Sequence, residues 1–324
     1  MSGRSKIEWT DAVWNPVTGC TKVSAGCKNC YAERMATRLA GRAGYPAEHP
    51  FAVTLHPERL DEPLHWRQPR RVFVCSTSDL FHPDVPDEFI DDVFAVAAVC
   101  PQHTFQALTK RPVRMVRYLS SSAQTFPEAE RRDDIAATAF DRFVERPSPS
   151  HLGELQFCDS DLLIQPDEWP LTNVWLGTSV EDQATADERI PHLLRCPAPV
   201  RFVSYEPALG PVTFADACND WLNDEGDSLD WIIAGGESGP KARPAHPDWF
   251  RSVRDQCAAA CVPFFFKQWG EWAPAECLGS TMKFDGMENY HVWDQDNVSR
   301  RVGKKAGGHL LDGVEHHQWP KGSA

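Results

Sequence analysis

Six short apolar runs constrain the fold of this chain more than any other feature. Each leads into polar residues and then into a stretch with helical spacing. They are Val72–Cys75, Thr104–Leu108, Val174–Gly177, Val200–Val203, Trp231–Ala234 and Val262–Phe266. Continuous apolar character, without polar alternation, suits strands buried on both faces of a parallel sheet. Between the runs, Phe89, Val93, Val96 and Ala97 recur at helical spacing, as do Trp249, Val253, Cys257 and Cys261. Strand alternating with helix predicts βαβ units. The segment Val13–Val17 brings the candidate strands to seven, which predicts an α/β fold: a partial or complete (β/α) TIM-type barrel, with a doubly wound open sheet as the competitor.

Two regions break the rhythm. The stretch 119–170, with Ser120-Ser-Ser122 and Pro147-Ser-Pro-Ser-His151, reads as an insertion between the third and fourth strands. From Cys277 the chain turns polar and Gly-rich, including Gly303-Lys-Lys-Ala-Gly-Gly308. The expected organisation is therefore a barrel over 1–276, with its insertion, and a C-terminal appendage over 277–324. A hydrophobic fraction of 42% with 24% charged residues excludes global disorder. No apolar run approaches the ~20 residues of a membrane span, and Met1–Asp11 lacks a signal-peptide core. A cytoplasmic location without a membrane partner is the expectation. The net charge of −13 argues against a broadly basic nucleic-acid surface, though a local basic cleft is still allowed.

Eleven cysteines in a chain of this size and expected location do not read as a disulfide framework. Eight are scattered (Cys75, Cys100, Cys158, Cys196, Cys218, Cys257, Cys261 and Cys277) and are expected mostly as small buried hydrophobes. The other three, Cys20, Cys27 and Cys30, share one loop, with six residues between the first pair and two between the second. Gly19 and Gly26 give that loop the backbone freedom to wrap around one centre. A helix is expected after it, with Tyr31, Met35 and Leu39 on one stripe and Ala32, Ala36 and Ala40 beside it. Three thiolates are one short of a structural zinc set. On a [4Fe–4S] cluster they leave one iron open for a substrate or cofactor. A zinc site completed by a distant His or Cys, or unrelated thiols, fits the spacing as well.

The Cys-rich loop, its helix and the repeated βα units resemble the radical-SAM superfamily. The six-residue gap departs from that superfamily's usual spacing of three residues, and Asn29 stands where an aromatic commonly precedes the third cysteine. A closer resemblance, running almost end to end, is to a family of phage- and prophage-associated proteins. It is carried by Trp14-Asn-Pro-Val-Thr-Gly-Cys20, Ser78-Asp-Leu-Phe-His82 and Leu108-Thr-Lys-Arg-Pro112. It continues through Trp175-Leu-Gly-Thr-Ser-Val-Glu181, Ser204-Tyr-Glu-Pro207, Gly235-Gly-Glu-Ser-Gly239 and Phe265-Phe-Lys-Gln-Trp-Gly270. The likeness to radical-SAM enzymes, including the spore photoproduct lyase branch, implies a [4Fe–4S] cluster, S-adenosylmethionine (SAM) and radical chemistry on a nucleic acid. It also implies a flavodoxin-like or ferredoxin-like electron donor.

Catalytic groups in such barrels gather at the C-terminal ends of strands, and every candidate strand here ends in polar residues. The resemblance implies SAM contacts for Ser76, Ser78 and Asp79, with Asp79 opposite the methionine ammonium. Ser179, Glu181, Ser204 and Glu206 are expected at the ribose hydroxyls. Lys110, Arg111 and Lys267 suit a carboxylate or a substrate phosphate, with Glu237 and Gln268 beside them and Arg243 as a further cation. Gly235 and Gly236 are expected to let a ligand approach the backbone closely. Cys75, Glu206 and Lys267 are the candidate catalytic groups, with Cys75 either a fourth cluster ligand or a hydrogen-atom donor. A metal-stabilised nucleic-acid-binding module without turnover and a zinc-dependent hydrolase are the competing classes.

Overall fold

The computed structural model describes residues 5–120, 135, 137–139, 169–214, 228–278 and 286–321. In chain order the elements are β1 (Ala12–Trp14), β2 (Val17–Thr18), α1 (Tyr31–Arg38), β3 (Thr54–Leu55), β4 (Arg71–Val74), α2 (Asp87–Ala98), β5 (Thr104–Thr109) and α3 (Pro112–Ser120). They continue with β6 (Val174–Val180), α4 (Gln183–Leu194), β7 (Arg201–Tyr205), β8 (Trp231–Gly235), α5 (Pro247–Ala259) and β9 (Phe264–Gln268). Three short strands follow, β10 (Trp272–Pro274), β11 (Tyr290–Val292) and β12 (Val298–Arg301).

All seven expected strands form, and they hydrogen-bond in the order β1-β4-β5-β6-β7-β8-β9. The pairs β1·β4, β4·β5, β7·β8 and β8·β9 are parallel. The order follows the chain and never reverses, whereas a doubly wound sheet has a reversal point. The fold is therefore α/β, a partial (β/α) TIM-type barrel with β1 and β9 as edge strands. Every residue of β6 and of β8 is buried, the pattern that a sheet covered on both faces requires.

The chain divides into two compact units. The first comprises Met1–Thr21, Ala32–Gly177 and Arg195–Pro199. In it α2 buries Phe89, Ile90, Val93, Phe94 and Ala97, and Asp87 and Glu88 sit at its N-terminus, where the helix dipole favours them. The Asn173 side chain donates to the carbonyls of Ala97, Cys100 and His103, closing the C-terminal end of α2. Arg114 on α3 donates to Asp87 and to the Val85 carbonyl.

The second unit comprises Lys22–Tyr31, Thr178–Leu194 and Val200–Ala324. Pro247 starts α5, where a missing N–H costs nothing, and the His246 ring accepts from the Asp248 N–H. Along β9 the C-terminal segment runs antiparallel: Phe266 N–H donates to His316 O, and Gln318 N–H to Phe264 O. The His317 ring stacks on Phe265 at 4.3 Å, and Trp231 Nε1 donates to Gln318 O. The open edge of β9 is thus covered, which removes a site for unwanted strand pairing.

The structure corrects several local expectations. Val13–Val17 is not one strand: β1 ends at Trp14, and Val17–Thr18 pairs antiparallel with β3. Pro16 between them has no N–H to give a ladder. On α1 the buried positions are Ala32 and Ala36, while Tyr31 is 50% exposed, so the small residues and not the aromatic stripe face inward. Cys100, Cys196 and Cys257 are buried as expected, but Cys261 and Cys277 are exposed. Cys158, Cys218 and most of 119–170 lie outside the described residues.

Candidate functional site

In the first unit, Cys20 hangs from a turn that only glycine permits. Gly19 has φ +82°, and a β-carbon there would collide with the Ala52 carbonyl. Gly19 N–H donates to Thr77 O and Cys20 N–H to Phe51 O. Beside this turn stands Asp79, which is buried. Its carboxylate accepts from Phe81 N–H (3.0 Å), Thr109 Oγ1 (2.7 Å), Lys110 N–H (3.1 Å) and Arg111 Nη1 (2.9 Å). Arg111 reaches on to Cys20 Sγ (3.5 Å), Thr21 O (2.9 Å) and Thr21 Oγ1 (2.9 Å). Burial works to lower the Arg111 pKa, and the Asp79 carboxylate and the Cys20 sulfur more than offset it, so the net shift is upward. Thr21 is also held by His82 Nε2 at 2.7 Å. The Asp84 N–H points at His82 Nδ1, which puts the proton on Nε2 and makes His82 the donor to Thr21.

Cys75 closes β4 in the left-handed region (φ +58°), an uncommon conformation for a residue with a side chain. Its thiol is buried, and burial pushes its pKa up to about 12. The following turn is fixed by Asn15, whose Oδ1 accepts from Ser76 Oγ, Thr77 N–H and Thr77 Oγ1. Ser78 Oγ donates to Val17 O at 2.7 Å.

In the second unit, two carboxylates hold the Ser24–Asn29 segment. Glu181 is fully buried and accepts from Ser24 Oγ (2.9 Å) and from Arg189 Nη1 (3.3 Å), itself only 3% exposed. A β-carbon on Gly26 would lie 2.5 Å from Glu181 Oε1, so glycine is required for the loop to close over this carboxylate. Glu237 takes Arg243 Nε and Nη2 at 2.8 and 2.6 Å, together with Arg243 N–H and Asn29 Nδ2. Burial works to raise the Glu237 carboxyl, but the bonds from Arg243 and Asn29 outweigh it and hold it below the ordinary range. Arg243 Nη1 also donates to Ala25 O, and Asn29 Nδ2 to Lys241 O. Asn29, in place of the expected aromatic, is thus a loop anchor.

Further along this unit, Lys267 Nζ lies 3.0 Å from Glu206 Oε1 and 3.1 Å from Oε2, and Ser204 Oγ donates to Oε2. Gln268 Nε2 donates to Ser238 Oγ, while its Oε1 is buried without a protein partner. Ser179 is buried, and its carbonyl accepts from Arg189.

These contacts pair several of the candidate residues with one another. Asp79, Glu181, Glu206 and Glu237 each commit their carboxylates to an arginine or lysine of the chain. Arg111, Lys267 and Arg243 are correspondingly matched by carboxylates, which leaves no stripe of unpaired cations among them. The space at Gly235 is filled by Glu206, 2.5 Å from where a β-carbon would stand, and that at Gly236 by the Trp269 backbone. Neither space is left for a ligand. Sequence reasoning gave no role to Thr21, Ser24 or Arg189, and placed Thr109 only as a strand-end residue. Asn15 and His82 lay inside quoted motifs, which was the one available signal.

No trio of His, Cys, Asp or Glu is arranged to hold a metal ion among the described residues. By donor chemistry, Cys20, Cys27 and Cys30 fit an iron–sulfur cluster. None of the three is in a disulfide, all are half-buried, and thiolate is the ligand such clusters take. The Cys20 sulfur accepts a hydrogen bond from a cation, and Cys27 Sγ has Ser24 Oγ at 3.8 Å.

An α/β partial barrel with a three-thiol loop after its first strand is the class that fold and site define. The chain belongs to the family described as "Protein of unknown function (DUF5131)", whose model matches residues 4–320. Comparison with curated proteins gives no match. Among solved structures, the chain is similar to spore photoproduct lyase complexed with dinucleoside spore photoproduct. The identity is 10%, the match covers 94% of this chain and 71% of that one, and the TM-score is 0.40. A point mutant of the same lyase matches at 9% identity, with 94% and 72% coverage and TM-score 0.43. A double mutant with bound AdoMet and dinucleoside spore photoproduct matches at 8%, with 93% and 71% coverage and TM-score 0.40. The strand order, and not this likeness, defines the fold.

Proposed function

We propose that the chain is a radical-SAM-like iron–sulfur enzyme acting on a nucleic acid. The observation that carries this reading is the loop of three cysteines outside any disulfide, all half-buried, whose first sulfur receives a guanidinium hydrogen bond. Cys20, Cys27 and Cys30 are the cluster ligands. Bound there, a [4Fe–4S] cluster would supply the one-electron reduction of SAM that starts radical chemistry. The protein's part is to fix the loop and present substrate. Glu181 and Glu237 set the path of Ser24–Asn29, and Arg111 holds Cys20. Cys75, a buried protonated thiol, is the candidate hydrogen-atom donor.

An ammonium has three protons, so Lys267 can donate to a substrate anion while Glu206 holds it. Ser76, Ser78, Ser179 and Ser204 are the hydroxyls proposed near SAM. A flavodoxin-like or ferredoxin-like protein is the proposed electron donor. The phage-linked motifs favour DNA or RNA as substrate, and the paired state of the cations favours few phosphate contacts. Each contact adds roughly 0.9 to the log–log salt slope on duplex DNA, so a shallow salt dependence of oligonucleotide binding is expected.

Anaerobically reconstituted, reduced protein incubated with SAM tests the reading. It should release 5′-deoxyadenosine, and a Cys20→Ala, Cys27→Ala, Cys30→Ala variant should not. Tight oligonucleotide binding without SAM cleavage would favour the binding module, and stoichiometric zinc the hydrolase; either result overturns the proposal.

A further inference from the structure

Resting on that reading, we infer that Arg111 is a positioning residue that sets the reduction potential and retention of the cluster through the Cys20 sulfur. Its assignment as a substrate-anion contact is given up. The four terminal N–H groups of the guanidinium have four acceptors within the first unit: Asp79 Oδ2, Cys20 Sγ, Thr21 O and Thr21 Oγ1. A fork so occupied has only its Nε–H left for an incoming phosphate.

The support behind it is equally complete. Asp79 is fixed by two backbone N–H groups and the Thr109 hydroxyl, and Thr109 Oγ1 in turn accepts from the Arg111 N–H at 2.8 Å. Thr21 is fixed from its other side by His82. The cation therefore cannot swing away from the sulfur without breaking several charge-assisted bonds.

A positive donor at a ligand sulfur stabilises the more negative, reduced state of a cluster, and hydrogen bonds to sulfur are an established lever on cluster potential. Cys27 has a serine hydroxyl beside its sulfur in place of a cation. Of these two sulfurs, Cys20 is the one met by a cation. The lysine of the same motif, Lys110, contributes its backbone N–H to Asp79.

The test is a potentiometric titration of the anaerobically reconstituted full chain, together with the rate of iron loss to a coloured chelator. Neither readout depends on turnover. Arg111→Gln should shift the midpoint potential to more negative values and speed iron loss about ten-fold, as loss of an outer-shell partner does. Arg111→Lys restores the charge without the fork and should fall between Arg111→Gln and wild type in potential. If Arg111→Gln does not fold, Arg111→Lys decides the matter by the same two readouts. Wild-type potential and wild-type iron loss in the variant would overturn the inference and leave the cluster assignment standing. Wild-type protein without iron or sulfide would overturn the reading beneath it, and the inference with it.

Discussion

The two ends of the cysteine loop are held by opposite means. Cys20 is met by a cation that reaches the sulfur itself, supported by a buried aspartate. The Ser24–Asn29 segment is held through its hydroxyl, amide and carbonyl groups by two glutamates and Arg243, with no cation on the Cys27 sulfur. On the proposed reading the first arrangement acts on the electronic state of a bound cluster, while the second defines the path of the chain. Strand-tip residues that look interchangeable in sequence thus fall into two kinds of work, decided by whether the partner is a sulfur atom or the backbone.

The most damaging way to break this comparison is on the path-setting side. Glu181→Ala removes the buried carboxylate from Arg189, 3% exposed, leaving it the Ser179 carbonyl and the exposed Glu188 at 4.0 Å. It should lower stability by about 3–5 kcal/mol in urea unfolding. Glu181→Gln keeps an acceptor for Ser24 and should cost less. Gly19→Ala forces a side chain into a left-handed turn against the Ala52 carbonyl, at a cost of about 1–3 kcal/mol. Arg243→Ala removes a half-exposed clamp and should cost about 1–2 kcal/mol, with the midpoint potential of a reconstituted cluster unchanged. A potential shift in Arg243→Ala equal to that in Arg111→Gln would erase the distinction between the two ends.

The smallest expected effect is in pH. Burial, with help from Arg111, lowers the His82 pKa below its ordinary 6.5. The folded state therefore favours the neutral ring, and the unfolded chain takes up the proton first as pH falls. The stabilisation is complete above about pH 6.5 and is lost progressively as pH drops through the folded value. His56 and His103 shift in the same direction. The His82→Gln variant should accordingly show a flatter loss of urea-unfolding stability between pH 7 and 5, and not a flat one. A slope identical to wild type would remove His82 from the account.

The strands were legible because uninterrupted apolar runs have few other ways to be buried, and Trp231–Gly235 begins where the pattern begins. Two neighbouring stripes on α1 were legible but not which of them is buried, because the small alanines Ala32 and Ala36 allow close packing that hydropathy does not signal. The site was legible only as a set of strand ends. Its pairings join Asp79 to Arg111 and Asn29 to Glu237, and no local period encodes a partner 32 or 208 residues away. Which cation meets which carboxylate was not legible, since a lone sequence gives residue types at the tips but not their partners.

The central claim is that Cys20, Cys27 and Cys30 carry an iron–sulfur cluster, and a metal and sulfide count on anaerobically purified and reconstituted protein tests it most directly. The account predicts about four irons and about four sulfides per chain, with a brown chromophore that disappears when the three cysteines are replaced by Ala. One zinc per chain, with neither iron nor sulfide after careful reconstitution, would contradict it.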